Sequence, residues 1–174
     1  MRRRALLTAL AATTAVPATA QTLLERLAGT GFGASTFVEL ASISDNFEIE
    51  SSRILLARST HPNIREYAER MIEHHTMLST ELRSLPEAST RLPAQLDERH
   101  ADMLAVLRQQ QDVDMLNRYY VQQQIQGHEE AVAAYEMYAA NGDVPALRSY
   151  AQRHAPLIAQ HLAQARALQA PRAG

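Results

Sequence analysis

The sequence predicts an all-α protein whose mature part folds as a single four-helix bundle. The chain of 174 residues is 46% hydrophobic but only 5% aromatic, without tryptophan. Its abundance of Ala, Leu, Gln, Glu and Arg favours packed helices over sheets. Apolar residues also recur at three- and four-residue steps through four long segments, which is the spacing of a buried helix face. A chain of this length suits one domain with a sizeable core.

The first twenty residues predict an export signal that is removed from the mature protein. Arg2, Arg3 and Arg4 form a basic start, residues 5–16 are almost wholly apolar, and Ala18-Thr19-Ala20 is a small-residue cleavage site. The apolar stretch is shorter than the roughly 20 residues of a membrane-spanning helix. We therefore expect export by the general or the twin-arginine route, and no transmembrane segment after cleavage at Gln21.

Charge and cysteine content exclude several classes of function. The formal net charge is -2 and becomes more negative once the basic start is removed, so a nucleic-acid partner, which requires a basic face, is not expected. The chain has no cysteine, which rules out disulfides and thiol chemistry. An exported protein of this kind must be stabilised by its core alone or by a metal.

Capping and helix-breaking residues set the predicted boundaries. Thr36 begins a capping box with Glu39, Pro62 suits the first position of a helix, and Asp112 and Asp143 suit caps. The predicted units are a signal peptide at 1–20, a linker with a short helix at 21–35, a bundle at 36–169 and a disordered tail at 170–174. Within the bundle the main helices are expected at about 36–59, 62–84, 112–140 and 143–168, with a shorter helix at 94–108.

The loop lengths predict how these helices are connected. Short loops make the first two main helices one antiparallel hairpin and the last two another. The long connection between the hairpins, with its short extra helix, allows a crossover. This is the connectivity of ferritin-like bundles.

Each predicted buried face is apolar at both ends and polar near its middle. The central polar residues are Glu48, His75 and His128, one from each of the first three helices, and His154 or His161 from the fourth. Pro156 lies between the last two and should kink the helix, so counting residues along it does not choose between them. Gly127, costly inside a helix, suggests a close approach of another group beside His128.

A carboxylate and three imidazoles from four helices predict a transition-metal site. Such ligands suit Zn, Cu, Ni or Fe. The alternative is a polar core, in which Glu48 and the histidines bind one another and only specify how the helices pair. A third hypothesis is an enzyme that uses an open metal position, for which nothing names a substrate. No histidine follows a glutamate by three residues, so a di-iron centre of the ferritin kind is not expected.

The polar residues around this set are expected to be less important. Glu73, His74 and Glu129 flank the central histidines and are interpreted as solvated, with contacts to the ligands as the alternative. His61 and His100, near helix ends, are predicted to be exposed.

Four segments resemble a known family of exported bacterial ferritin-like proteins. They are residues 47–50 (FEIE), 67–76 (YAERMIEHHT), 126–129 (QGHE) and 155–162 (APLIAQHL). The family is number forty-one forty-two among the domains of unknown function, and its members are often labelled outer membrane proteins. The similarity covers about 37–168. It implies a ferritin-like fold, export to the periplasm with outer-membrane association as an option, and a suspected metal site, but no reaction.

The resemblance also implies a ligand set. The family carries Glu, His, His and His at the positions of Glu48, His75, His128 and His161, which favours His161 over His154. His154 and His74 remain alternates. The chain departs from the family at His74, where the family usually has Asp, and this departure would alter a contact that orients a ligand.

Overall fold

The computed structural model describes residues 32–93 and 95–169, and in these ranges all regular elements are helices. The prediction of an all-α helical bundle is confirmed. The predicted signal peptide, residues 21–31 of the predicted linker and the tail at 170–174 lie outside the described residues. The helices are α1 (Ala34–Leu56), α2 (Pro62–Ser84), α3 (Pro86–Ser89), α4 (Glu98–Gln109), α5 (Val113–Asn141) and α6 (Pro145–Gln169).

Most of the predicted boundaries hold, and the exceptions have local causes. Helix α2 begins at Pro62, and the Asp112 side chain caps α5 by accepting from the Met115 N–H at 2.8 Å. The capping box at Thr36 was wrong, because α1 begins two residues earlier, after Gly33, without a side-chain cap. Helix α4 begins at Glu98 rather than at residue 94, since Asp97 supplies the cap there.

The four long helices form a bundle of two hairpins. Helix α1 packs on α2, and α5 packs on α6; α1 also contacts α5, and α2 contacts α6. Phe37 near the start of α1 meets Tyr138 near the end of α5, so these two helices are antiparallel. Tyr67 near the start of α2 approaches the carbonyl of His161 on α6, which makes that pair antiparallel as well. The connection from α2 to α5 contains α3 and α4, as the crossover prediction required.

The core has two apolar clusters, one toward each end of the bundle. The first centres on Phe37, which is fully buried and stacks on Tyr138 with ring centroids 4.2 Å apart. The second contains Leu55, Tyr67 and Tyr120. The polar layer that the sequence predicted near the middle of each face lies between these clusters.

Helix α4 covers one side of α1 and buries a histidine that was predicted to be exposed. His100, predicted to be exposed, is 9% exposed: its ring packs on Phe47 and its Nδ1 lies 2.7 Å from Asp97 Oδ1. The sequence could not show that the connection folds back onto α1. None of the helices in the described ranges has both the length and the apolar character needed to cross a bilayer.

Candidate metal centre

Three histidines from three helices meet in the middle of the bundle. Each of His75 on α2, His128 on α5 and His161 on α6 is 1% exposed. Each offers a ring nitrogen, and the three nitrogens lie within 4.8 Å of one another. The ring centroids are 5.3 to 5.6 Å apart. This buried cluster can hold a metal ion.

Hydrogen bonds on the outer side of two rings determine which nitrogen faces inward. Nδ1 of His128 lies 2.8 Å from the backbone carbonyl of Gln124, and because a carbonyl only accepts, Nδ1 carries the proton. Nδ1 of His75 is likewise 2.8 Å from the Asp45 carboxylate. Nε2 of both rings is buried without a hydrogen-bond partner among the described residues. A carboxylate or carbonyl behind an imidazole is the usual support of a metal-binding histidine.

His161 is held by the neighbouring His74 rather than by an acid. His161 Nε2 and His74 Nδ1 are 2.8 Å apart, and the two rings stack with centroids 5.1 Å apart. His161 Nδ1 has no partner in the described part of the chain. His74 lies outside the group of three and contacts it through His161. The interpretation of His74 as simply solvated was wrong.

Burial keeps all three rings neutral. Removal from water lowers the pKa of His75 and of His128 from 6.5 to about 3, and that of His161 to about 2. The Gln124 carbonyl fixes the proton of His128 on Nδ1, so the inward Nε2 of His128 is a lone pair with no donor among the described residues. His75 presents the same lone pair when Asp45 is ionised. Such lone pairs are costly to bury and are the form in which imidazole binds metal.

Glu48 lies beside the cluster but not within the group of three. Its Oε1 is 3.5 Å from His128 Nδ1, on the side of the ring that bonds Gln124, and both carboxylate oxygens are buried without a hydrogen-bond partner in the described residues. The carboxylate packs against Gly127, where an added Cβ would lie 3.2 Å from Oε1. This close approach accounts for a glycine inside α5.

Burial also raises the pKa of Glu48 to about 8, and the nearby Asp45 carboxylate acts in the same direction. The Gln124 amide approaches Glu48 and opposes this shift, but burial prevails. The pKa of Asp45 is raised well above its usual range, again mainly by burial. The layer thus combines two buried acids with three neutral imidazoles.

Asp45 is a buried acid of this layer that the sequence did not predict. It is 1% exposed and bonds His75, yet it was not among the central polar residues predicted for the first helix. A signal was present: Ala41, Asp45, Glu48 and Ser52 follow one another at steps of four, three and four, and all are buried.

His154 has a different environment from His161. Its Nε2 lies 2.8 Å from Glu81 Oε2, and its side chain is 12% exposed. Its ring packs on Tyr150 with ring centroids 4.6 Å apart. It is not part of the three-histidine group. Helix α6 continues through Pro156 between the two histidines.

The pKa shifts predict how the stability of the metal-free protein depends on pH. The histidines are neutral in the folded protein but have pKa values near 6.5 in the unfolded chain. Below pH 6.5 the unfolded chain therefore binds more protons, and the stability that these residues contribute is lost as pH falls toward 3. Glu48 acts in the opposite direction, because its pKa is higher in the folded protein. Its contribution to stability is lost as pH rises from 4.5 through about 8. We expect the Tm to be highest near pH 6 to 6.5 and to fall toward pH 8.5.

Thermal unfolding in the presence of a chelator, at several pH values between 4 and 9, measures this profile. Glu48→Gln keeps the size of the side chain but cannot ionise, so it should flatten part of the decline above pH 6.5. A wild-type Tm that keeps rising up to pH 8.5 would contradict the assigned direction for Glu48.

Comparison with known proteins yields a family but no function. No curated protein and no solved structure matches the chain. A family model described as "Domain of unknown function (DUF4142)" matches residues 12–168, which include α1 to α5 and nearly all of α6. With a match over most of its length, the chain belongs to this DUF4142 family.

Proposed function

We propose that the protein binds one divalent transition-metal ion through His75, His128 and His161. The observation that carries this proposal is the inward-facing side of the cluster: three buried ring nitrogens converge, and none has a hydrogen-bond partner among the described residues. A polar core that only specified packing would pair these nitrogens with donors. Ring nitrogens that face one another without partners are instead what a cation would satisfy.

Charge balance supports a divalent ion. Asp45 and Glu48 are both 1% exposed, and no arginine among the described residues is buried with them. In the metal-free protein burial favours their neutral, protonated forms, because two ionised carboxylates would leave an uncompensated buried charge. One divalent cation beside neutral imidazoles would balance both acids.

The donor set narrows the choice of metal. Imidazole nitrogens suit Zn, Cu, Ni and Fe, whereas Mg and Ca prefer oxygen ligands. Three protein ligands also leave a position for a molecule from outside, as in metal sites that react. A bound ion of this kind would supply Lewis acidity or redox chemistry. We propose a role in metal or oxidative stress and assign no reaction.

Metal content and thermal stability test the proposal. Untagged protein should contain about one transition metal per chain by elemental analysis. After chelation, Zn²⁺ at about 100 times its Kd should stabilise the fold by about 2.7 kcal/mol. For a chain of this size that raises Tm by about 5–10 °C. Mg²⁺ should have no such effect.

His154→Ala is the matched control, because it removes a partly buried histidine from α6 without touching the cluster. This variant should keep both the metal and the rise in Tm. A wild-type protein that is free of metal, and whose Tm is unchanged by Zn²⁺, Cu²⁺, Ni²⁺ and Fe²⁺, would refute the proposal and favour a polar core that only fixes packing.

Asp45→Asn tests whether the carboxylate that bonds His75 Nδ1 strengthens metal binding. The amide can still accept from Nδ1 but carries no charge, so the ligand becomes less basic and one balancing charge is lost. We expect metal affinity to fall by about 10–100-fold. Competition with a chromophoric chelator measures this, and Asp97→Asn, at the exposed acid beside His100, should leave the affinity unchanged.

We further propose that the protein acts in the cell envelope after removal of residues 1–20. The basic start, the apolar stretch and the small-residue site after it support export. Mass spectrometry of protein from the periplasmic fraction should find Gln21 at the N-terminus. Full-length protein confined to the cytoplasm would contradict this part of the proposal.

A further inference from the structure

A small cavity lies between α1 and α5, beneath the start of α4. Its volume is about 40 Å³, and its lining is mostly apolar, with Phe37, Leu40 and Ala131 among the contributing residues. Since one buried water needs roughly 10–15 Å³ of cavity volume, the cavity has room for about three water molecules. His100 on α4 forms part of the wall.

The inner end of the cavity is formed by Glu48 and Gly127. Glu48 is 1% exposed, and neither of its carboxylate oxygens has a hydrogen-bond partner among the described residues. A buried carboxylate without donors is expensive. Because Gly127 has no side chain, this end stays open, whereas a Cβ there would lie 3.2 Å from Oε1.

The chemistry of the lining restricts what can bind. An anion would meet two acids, Glu48 and Glu130, and no arginine among the described residues of the lining. A hard cation needs about six oxygen ligands, and the lining offers few. Glu130, the other acid of the wall, is already bonded to Arg99 through both oxygens at 2.7 Å. A purely apolar molecule would leave the Glu48 oxygens without donors.

We infer that this cavity is a binding site for a small neutral molecule with O–H groups, held by the carboxyl group of Glu48 beside His128. Water and hydrogen peroxide share this chemistry and fit the volume. Glu48 contacts the cavity on one side and lies 3.5 Å from His128 Nδ1 on the other. A molecule bound there is separated from the histidine cluster by one side chain. The inference depends on the cavity and Glu48 alone and requires no metal.

High-resolution crystal structures of the metal-free protein test the inference. The wild type should show at least one ordered water within hydrogen-bonding distance of a Glu48 oxygen. Ala131→Leu adds three carbon atoms to the lining and should displace it. Ala133→Leu makes the same change on α5, at a residue that does not line the cavity, and should retain the water.

Crystals soaked in hydrogen peroxide separate the two molecules. Elongated density for two bonded atoms at Glu48 shows that the site accepts peroxide, and single spherical peaks assign it to water. A wild-type cavity without density, or Glu48 oxygens bonded to protein groups instead, overturns the inference. If Ala131→Leu does not fold, Gly127→Ala provides a milder obstruction at the inner end and should lower the occupancy of the bound molecule.

Because these crystals contain no metal, their outcome is independent of metal binding. A hydrated Glu48 in a protein that binds no metal would support the cavity site and refute the proposed function. A dry cavity in a protein that binds one metal per chain would do the reverse.

Discussion

Replacing His128 with alanine is expected to abolish specific metal binding. The variant removes one of three converging nitrogens and leaves two imidazoles, which cannot enclose an ion. Loss of a residue that merely supports a ligand costs about 10–100-fold in affinity, so loss of the ligand should exceed about 100-fold. Elemental analysis should fall from about one metal per chain to near zero, and the rise in Tm on adding Zn²⁺ should disappear.

The rival explanation, a polar core without metal, predicts a different pattern. His128→Ala would then lower the Tm equally with and without Zn²⁺, because it only removes the buried imidazole and its hydrogen bond to the Gln124 carbonyl. His75→Ala and His161→Ala should behave like His128→Ala, while His154→Ala should behave like the wild type. Full metal content in any of the three cluster variants would remove that residue from the ligand set.

Replacing Phe37 with alanine is expected to destabilise the fold more than a change at the surface. Phe37 is fully buried, stacks on Tyr138 and meets Tyr135 edge-on with centroids 5.3 Å apart. Truncating a buried phenylalanine costs about 3–5 kcal/mol. At about 2–4 °C per kcal/mol, the Tm should fall by roughly 6–20 °C.

Thermal or denaturant unfolding measures this loss, with Met77→Ala as the control. Met77 is 46% exposed, so its truncation should change stability by less than about 0.5 kcal/mol. Phe37 belongs to one apolar cluster and the histidines to the layer between the clusters, so folded Phe37→Ala protein should keep its metal. A decrease in Tm no larger than that of Met77→Ala would contradict the packing described around Phe37.

Helix periodicity and capping chemistry predicted the architecture because both are local. Pro62 and Asp112 marked helix starts correctly, and His75 fell on the buried face of α2 as the three- and four-residue spacing required. The convergence of His75, His128 and His161 could be predicted because each lies near the middle of its helix, and antiparallel packing brings the middles together.

The features that could not be predicted concern the direction in which a side chain points, not its level along the helix. A helix position fixes the level of a side chain to within a few ångströms, but the choice between the two sides of a ring depends on rotamers and neighbours. Glu48 therefore stands at the expected level yet faces His128 Nδ1, which is the side bonded to Gln124. His100 was misjudged for a related reason, since nothing local shows where a long connection packs.

The distribution of the three histidines over the two hairpins has a kinetic consequence. His75 belongs to α1–α2, whereas His128 and His161 belong to α5–α6, so neither hairpin alone supplies the full set. An ion held by all three would tie the hairpins together. Its escape would require them to part, which is a slow opening event rather than a side-chain flip. Residence time would then be governed by the rate at which the bundle opens.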